Sequence, residues 1–193
     1  MWWGSTKFVL LTSDTYNTYT QGIPISDPPQ TFRQAVELTR LLGYKYLWID
    51  SLYILQDSHE DWTNESSMMG EIYAHCLLNM AATAFADGNG GLFDQPANLL
   101  ISPCLLESWD ESENMEHFSL YLVNVWQNGV EDTALGKRGW VIQERILSPR
   151  VVHFASNQIF WQCCTLKSAG LLPVEVVDED DELKKVAPYP RQL

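Results

Sequence analysis

A carboxylate and a hydroxyl stand side by side where a short apolar run ends. The run is Tyr46 to Ile49, and Asp50 and Ser51 follow it directly. An uninterrupted apolar run of this length is typical of a central strand that is buried on both faces. Ligands of open α/β sheets bind at the carboxyl ends of such strands, so the pair is a candidate ligand site. Asp and Ser are also common in turns and helix caps, and this second interpretation stays open.

Three residues near the end of the chain could bind a metal ion or move a proton. They are His153, Cys163 and Cys164. A structural zinc site needs four ligands, and no convincing fourth ligand accompanies these three, so no metal site is predicted. His153 is surrounded in sequence by large apolar residues, which favours a hydrogen-bonded core histidine over a general base.

The composition excludes several classes of partner. The 193 residues carry a net charge of -13 and are 46% hydrophobic. Nucleic acids and anionic membranes bind clustered Lys and Arg, which the chain lacks, so neither is expected as a partner. Much of the acid falls in two runs that are typical of solvated surface rather than of a metal site, at 107–116 and 175–182.

The cysteines and the N-terminus predict the compartment. The four cysteines show no CxxC spacing, and the sequence lacks a basic leader followed by a long apolar run. Both features are typical of a reducing intracellular setting, so we expect a cytoplasmic protein.

The elements that must position the candidate residues follow from capping signals and hydrophobic periodicity. Two prolines ahead of Thr31 predict a helix with Thr31 as its N-cap and Gly43 as its stop. Ser58 and Asp61 have the spacing of a capping box and predict a helix to about residue 78. In chain order the other predicted segments are a loop at 13–27, a strand at 79–84, a hairpin of strands at 99–106 and 118–126, a helix at 137–148, and strands at 151–154 and 158–164.

Two long blocks resemble one known family. They read LGYKYLWIDSLYILQDSHEDWTNESSMMGEIYAHCLLNMAATAFADGNGGLF and RGWVIQERILSPRVVHFASNQIFWQC. Both are similar to the fungal heterokaryon-incompatibility (HET) domain, whose pattern runs from "SYCWG" through "YLWIDSLCI" to "RgW.lQErlLs.R..hF". Trp3-Gly4 and the segment 29–36 match its earlier parts, so the resemblance covers nearly residues 2–164.

The resemblance implies an α/β fold with a TIR- or flavodoxin-like, mostly parallel sheet flanked by helices, to which the hairpin is added. The family's first strand leads into "SYCWG" and has no counterpart here, so we expect it to be missing. The domain is expected to span residues 1–166, followed by an acidic, flexible tail at 167–193. The family's Cys in "DSLCI" is Tyr53 in this sequence, so a reactive role for that thiol does not carry over.

The resemblance also implies a function in self/non-self recognition. HET domains act as effectors of programmed cell death after incompatible cells fuse, and the family is distantly similar to TIR domains, some of which hydrolyse NAD. The catalytic glutamate of those enzymes lies four residues after a Trp on a helix, and Trp140 and Glu144 have the same spacing. Glu144 is therefore the candidate catalytic residue, and an internal salt-bridge network is the alternative. The expected pocket residues are Trp3, Asp50, Ser51, Arg138, Trp140 and Gln143.

Three functional hypotheses follow. The first is a cell-death effector that acts by association with protein partners or with further copies of itself. The second is an NAD glycohydrolase that uses Glu144, with NAD as substrate and no certain cofactor. The third is an inactive, truncated remnant. The second hypothesis requires that Asp50, Ser51 and Glu144 lie together in one cleft.

Overall fold

The structure is a computed structural model, and it describes residues 9–93, 104–109, 115–120, 124–156, 158–169 and 172–175. The helices are α1 (Ser13–Tyr19), α2 (Gln30–Leu41), α3 (Asp50–Tyr53), α4 (His59–His75) and α5 (Gly139–Leu147), with a π-helical turn at Gln127–Glu131. The strands are β1 (Asn79–Ala81), β2 (Cys104–Trp109), β3 (Met115–Leu120), β4 (Arg150–Phe154), β5 (Ile159–Cys163), β6 (Lys167–Ala169) and β7 (Leu172–Glu175). None of the helices in these ranges has the length and apolar character that a membrane crossing requires.

The described strands form a mixed open sheet in the order β1-β4-β5-β6-β7. Only the pairing of β1 with β4 is parallel, and the other three pairings are antiparallel. The α/β class is thus confirmed, but the expectation of a mostly parallel sheet is wrong for this part of the chain. The reason is that β4 to β7 follow one another through short connections, and short connections can join only antiparallel neighbours.

A hairpin is present as a separate two-stranded sheet, but its described strands lie at 104–109 and 115–120 rather than at 99–106 and 118–126, and residues 124–126 are not strand. β2 and β3 pair antiparallel, with Cys104 opposite Leu120 and Trp109 opposite Met115. Past the hairpin, the sheet continues beyond residue 166 through β6 and β7. The proposed domain boundary at that residue stays a prediction.

The predicted central strand at 46–49 is not a strand in the structure. No backbone hydrogen bond joins residues 45–48 to another described segment, and the side chain of Tyr46 is 93% exposed. Leu47 does pack against the core cluster of Ala35, Leu92 and Phe154. The apolar run therefore correctly indicated a contact with the core. A strand also needs a hydrogen-bonded neighbour, and the local sequence does not show whether one is present.

Helix boundaries agree with their capping signals at three places. Ser58 is the N-cap of α4, and its Oγ accepts from the backbone N–H of Asp61 at 3.2 Å. Gly43 follows the end of α2 with φ at +80°, a left-handed conformation that suits glycine. α5 ends at Leu147, before the proline at 149, as predicted. α2 itself begins two residues earlier than predicted, with Pro29 rather than Thr31 as its N-cap.

α1 was missed, because the segment 13–27 has the composition of a loop. The helix depends on polar contacts at its start. Thr12 and Thr15 form a reciprocal capping box, and both carboxylate oxygens of Asp57 accept from the backbone N–H of Ser13 at 3.0 Å. A partner 44 residues away in sequence cannot be recognised from local composition.

β4 lies between two core clusters because its side chains alternate across the sheet. One face carries the buried cluster of Trp126, Val130, Phe160 and Ala169. The other carries Phe154 with Ala35 of α2 and Leu92. The sheet is therefore covered by α2 on one face and by the π-helical turn on the other.

His153 belongs to this core. It is 2% exposed, its ring meets that of Trp126 edge to face at 5.6 Å, and Nε2 lies 3.4 Å from Oε1 of Gln162. Burial lowers the pKa of His153 to about 4, despite the opposing effect of its hydrogen bond to the amide oxygen of Gln162. The ring is therefore neutral near pH 7, in line with the interpretation as a core histidine.

We expect Phe160→Ala to lower the free energy of unfolding by about 3–5 kcal/mol, because it leaves a cavity in the first core cluster. Phe160 is fully buried, whereas its neighbour Ile159 is 46% exposed. Ile159→Ala is therefore the matched control and should cost less than about 1 kcal/mol. Urea unfolding measures both values, and equal losses for the two variants would contradict this account of the core.

Candidate functional site

Asp50 stands at the first turn of α3, not at the end of a strand. The chain is extended at Ile49 and turns into the helix at Asp50, whose Oδ1 accepts from the backbone N–H of Ser51 at 2.7 Å. Two backbone hydrogen bonds of 2.8 Å hold this turn in place, from Leu11 N to Ser51 O and from Gln56 N to Leu11 O. Burial raises the pKa of Asp50, and the bond from Ser51 lowers it in part.

Tyr73 reaches the same region from the last turns of α4. α4 is anchored beside α3, because the Asp61 carboxylate accepts from the backbone N–H of Leu55 at 2.8 Å. The Tyr73 hydroxyl lies close enough to the Glu144 carboxylate for each group to shift the pKa of the other. Burial and the nearby charges of Glu144 and Asp50 raise the pKa of Tyr73, so its hydroxyl stays protonated and acts as a donor.

Glu144 comes from α5, which is fixed at its C-terminal end to the sheet. Ser148 donates its hydroxyl to the Glu144 carbonyl at 2.7 Å and accepts from the amide of Asn79 in β1 at 3.1 Å. Burial raises the pKa of Glu144 to about 7. The hydrogen bond from Tyr73 and the charge of Arg138 lower this pKa, while the charge of Asp50 raises it.

Trp48 forms an aromatic wall beside the carboxyl groups. Its ring centroid lies 6.1 Å from that of Tyr53 and 5.8 Å from that of Tyr73. The indole Nε1 of Trp48 and the hydroxyl of Ser51 are buried and have no hydrogen-bond partner in the described part of the chain. Buried polar groups are rarely left unpaired, so these two atoms distinguish this region from the rest of the described core.

The predicted site residues divide into two groups. The charges of Asp50 and Arg138 both act on the pKa of Glu144, and Ser51 adjoins Asp50. Trp140 is 61% exposed and Gln143 is also exposed. Arg138 additionally donates to the carbonyl of Ala86 at 3.1 Å. Trp3 lies outside the described residues.

Sequence reasoning did not identify Tyr73 or Trp48 as site residues. Both were assigned only to apolar patterns, Trp48 to a strand and Tyr73 to the buried face of a helix. A usable signal was present, because Tyr and Trp each carry a polar atom that needs a partner when the ring is buried.

The arrangement can support acid–base chemistry. Two carboxyl groups share one partly buried region, and the pKa of each is raised. Pairs of titratable groups whose environment shifts their pKa values are typical of sites that transfer protons. A carboxyl group with a pKa near 7 can accept or donate a proton at neutral pH.

Two substitutions should move the pKa of Glu144 in opposite directions. Asp50→Asn removes a neighbouring negative charge and should lower it, whereas Tyr73→Phe removes a hydrogen bond to the carboxylate and should raise it. NMR titration of glutamate side-chain carbons measures both shifts. The exposed Glu71 is the internal control, because its resonance should not change. Shifts in the same direction would show that Asp50 and Tyr73 do not act on Glu144 as described.

One comparison with known proteins gives a match. The model of the family described as Heterokaryon incompatibility protein (HET) matches residues 1–144, a range that contains Asp50, Tyr73, Arg138 and Glu144. No curated protein and no solved structure shows a significant match to the chain. The expected likeness to TIR and flavodoxin folds therefore stays a prediction.

Proposed function

Because the chain belongs to the heterokaryon-incompatibility (HET) family, we propose that it is an effector whose site hydrolyses an N-glycosidic bond, with NAD as the substrate. Family membership implies involvement in fungal heterokaryon incompatibility. Programmed cell death as the outcome, and loss of NAD as its cause, are parts of the proposal.

The observation that carries the proposal is the environment of Glu144. Its carboxyl is partly buried, lies near the Asp50 charge, and interacts with the Tyr73 hydroxyl, and its pKa is about 7. A glutamate that serves only in an exposed salt bridge would not have this raised pKa. The ion pair that α5 makes within the described residues joins Arg145 to Glu131, at 3.6 Å, and does not include Glu144. The salt-bridge alternative is therefore the weaker one.

The proposed reaction needs few groups from the protein. The bond between the ribose C1′ and the pyridinium nitrogen breaks, and its electron pair neutralises that nitrogen, so nicotinamide leaves without needing a proton. The remaining ribosyl cation is stabilised by a carboxylate, as in glycosidases. Water then adds its oxygen to C1′ and gives a proton to Glu144, and the products are nicotinamide, ADP-ribose and one proton.

Glu144→Gln should abolish most NAD hydrolysis, with a loss in kcat of about 10²- to 10⁴-fold. In the unchanged protein kcat/KM should rise with pH through about 7, because the acting form of Glu144 is the ionised one. Both effects are measured by monitoring the release of nicotinamide with chromatography at pH values from 5 to 9. An unchanged midpoint of urea unfolding would show that the inactive Glu144→Gln variant is still folded.

Glu71→Gln is the matched control, since Glu71 is a highly exposed glutamate on α4. It should retain full activity. NAD levels that are equal for the unchanged protein, Glu144→Gln and buffer would refute the glycohydrolase proposal.

A second candidate function, association with a protein partner, is favoured by the surface of α5. No residue of this helix is buried, and Trp140, Ile142 and Ile146 are 61%, 50% and 70% exposed. Exposed apolar patches commonly mark protein contacts. Association and hydrolysis are compatible, because Glu144 points toward α4 while these apolar side chains remain open.

Ile146→Glu should separate the two functions. A charge on the apolar surface of α5 should weaken self-association or partner binding and lower cell death, while NAD hydrolysis per folded molecule is retained. Light scattering and a fungal cell-death assay measure the two effects. Leu41→Glu is the control, because Leu41 is 77% exposed on a different helix, α2. Equal effects of Ile146→Glu and Leu41→Glu would remove α5 as the contact surface.

A further inference from the structure

Tyr53 is an exposed aromatic residue in the same helical turn as the site carboxylate. It is the last residue of α3, three positions after Asp50, and residues at this spacing lie on one side of a helix. More than half of the side chain, 54%, is exposed.

Tyr53 begins a row of three rings that ends at Glu144. The row passes from Tyr53 to Trp48 in a step of 6.1 Å and from Trp48 to Tyr73 in a step of 5.8 Å. Tyr53 and Tyr73 are thus separated by at most about 12 Å. Tyr73 interacts with Glu144, so the open end of the row lies one extended ligand away from the carboxyl group.

The polar atoms along this row suit the middle of such a ligand. The indole N–H of Trp48 and the Ser51 hydroxyl can both donate, and both lack a partner within the described residues. The ribose and phosphate oxygens that connect the two rings of a dinucleotide are acceptors. An aromatic side chain stacks a nucleobase without regard to its identity, through the ring face alone.

From this geometry we infer that Tyr53 is a specificity-determining residue, which stacks the distal base of a dinucleotide while the bond to be cleaved lies at Glu144. This inference rests on the proposed hydrolysis. It explains what the exposed ring contributes: a preference for substrates with two planar groups over substrates with one. The ring takes no part in the bond-breaking step.

The first test compares hydrolysis of NAD with hydrolysis of nicotinamide mononucleotide, which lacks the distal base. Tyr53→Ala should lower kcat/KM for NAD by about tenfold or more, as expected for the loss of one stacked base, and leave that for the mononucleotide unchanged. Tyr53→Phe, which keeps the ring, should behave as the unchanged protein. An equal loss for both substrates would mean that Tyr53 only supports Trp48, and no loss for either would also overturn the inference.

The second test does not depend on hydrolysis. Binding of ADP-ribose and of ribose 5-phosphate is measured by calorimetry on the folded unchanged protein and on Tyr53→Ala. We expect ADP-ribose to bind about tenfold more weakly to Tyr53→Ala, and ribose 5-phosphate to bind both proteins alike. A protein that binds ADP-ribose through Tyr53 but hydrolyses nothing would refute the proposed function and retain this binding role. Equal binding of ADP-ribose by both proteins, or none by either, would refute the role of Tyr53.

Discussion

The interaction of the Tyr73 hydroxyl with the Glu144 carboxyl group links α4 to α5 in a partly buried region, and the protonation of the candidate site depends on it. α5 has no buried residue of its own. Its position is therefore set by a few specific contacts: the interaction with Tyr73, the fixation of its end through Ser148 to β1, and the ion pair of Arg145 with Glu131. A helix held in this way can carry a carboxyl group inward while its other side remains apolar and open.

Burial of this carboxyl group makes stability depend on pH in a direction opposite to that of the buried histidine. The pKa of Glu144 rises from 4.5 to about 7 on folding, so it reduces stability as pH rises through that interval. The pKa of His153 falls from 6.5 to about 4, so it reduces stability as pH drops through that interval. The two intervals overlap, and the contributions offset each other in mildly acidic solution.

Local signals in the sequence predicted what depends on local interactions. The cap at Ser58, the stop at Gly43, the hairpin and the pairing of β4 with β5 all follow from capping residues, periodicity and short connections. Features that depend on distant partners could not be predicted in this way. Residues 45–48 make no backbone hydrogen bond to another described segment, and α1 needs Asp57. The candidate site shows the same division, since Asp50 and Glu144 were identified by type and spacing, whereas Tyr73 is recognisable only once α4 is seen to lie against α5.

The short turn of α3 has a consequence for how such a protein can diverge. Its backbone is held by the bonds through Leu11, and Asp50 and Ser51 are buried, whereas Tyr53 at the end of the turn is 54% exposed. If Tyr53 stacks the distal base as proposed, related chains that differ at this position would differ in substrate preference while they share the same buried turn.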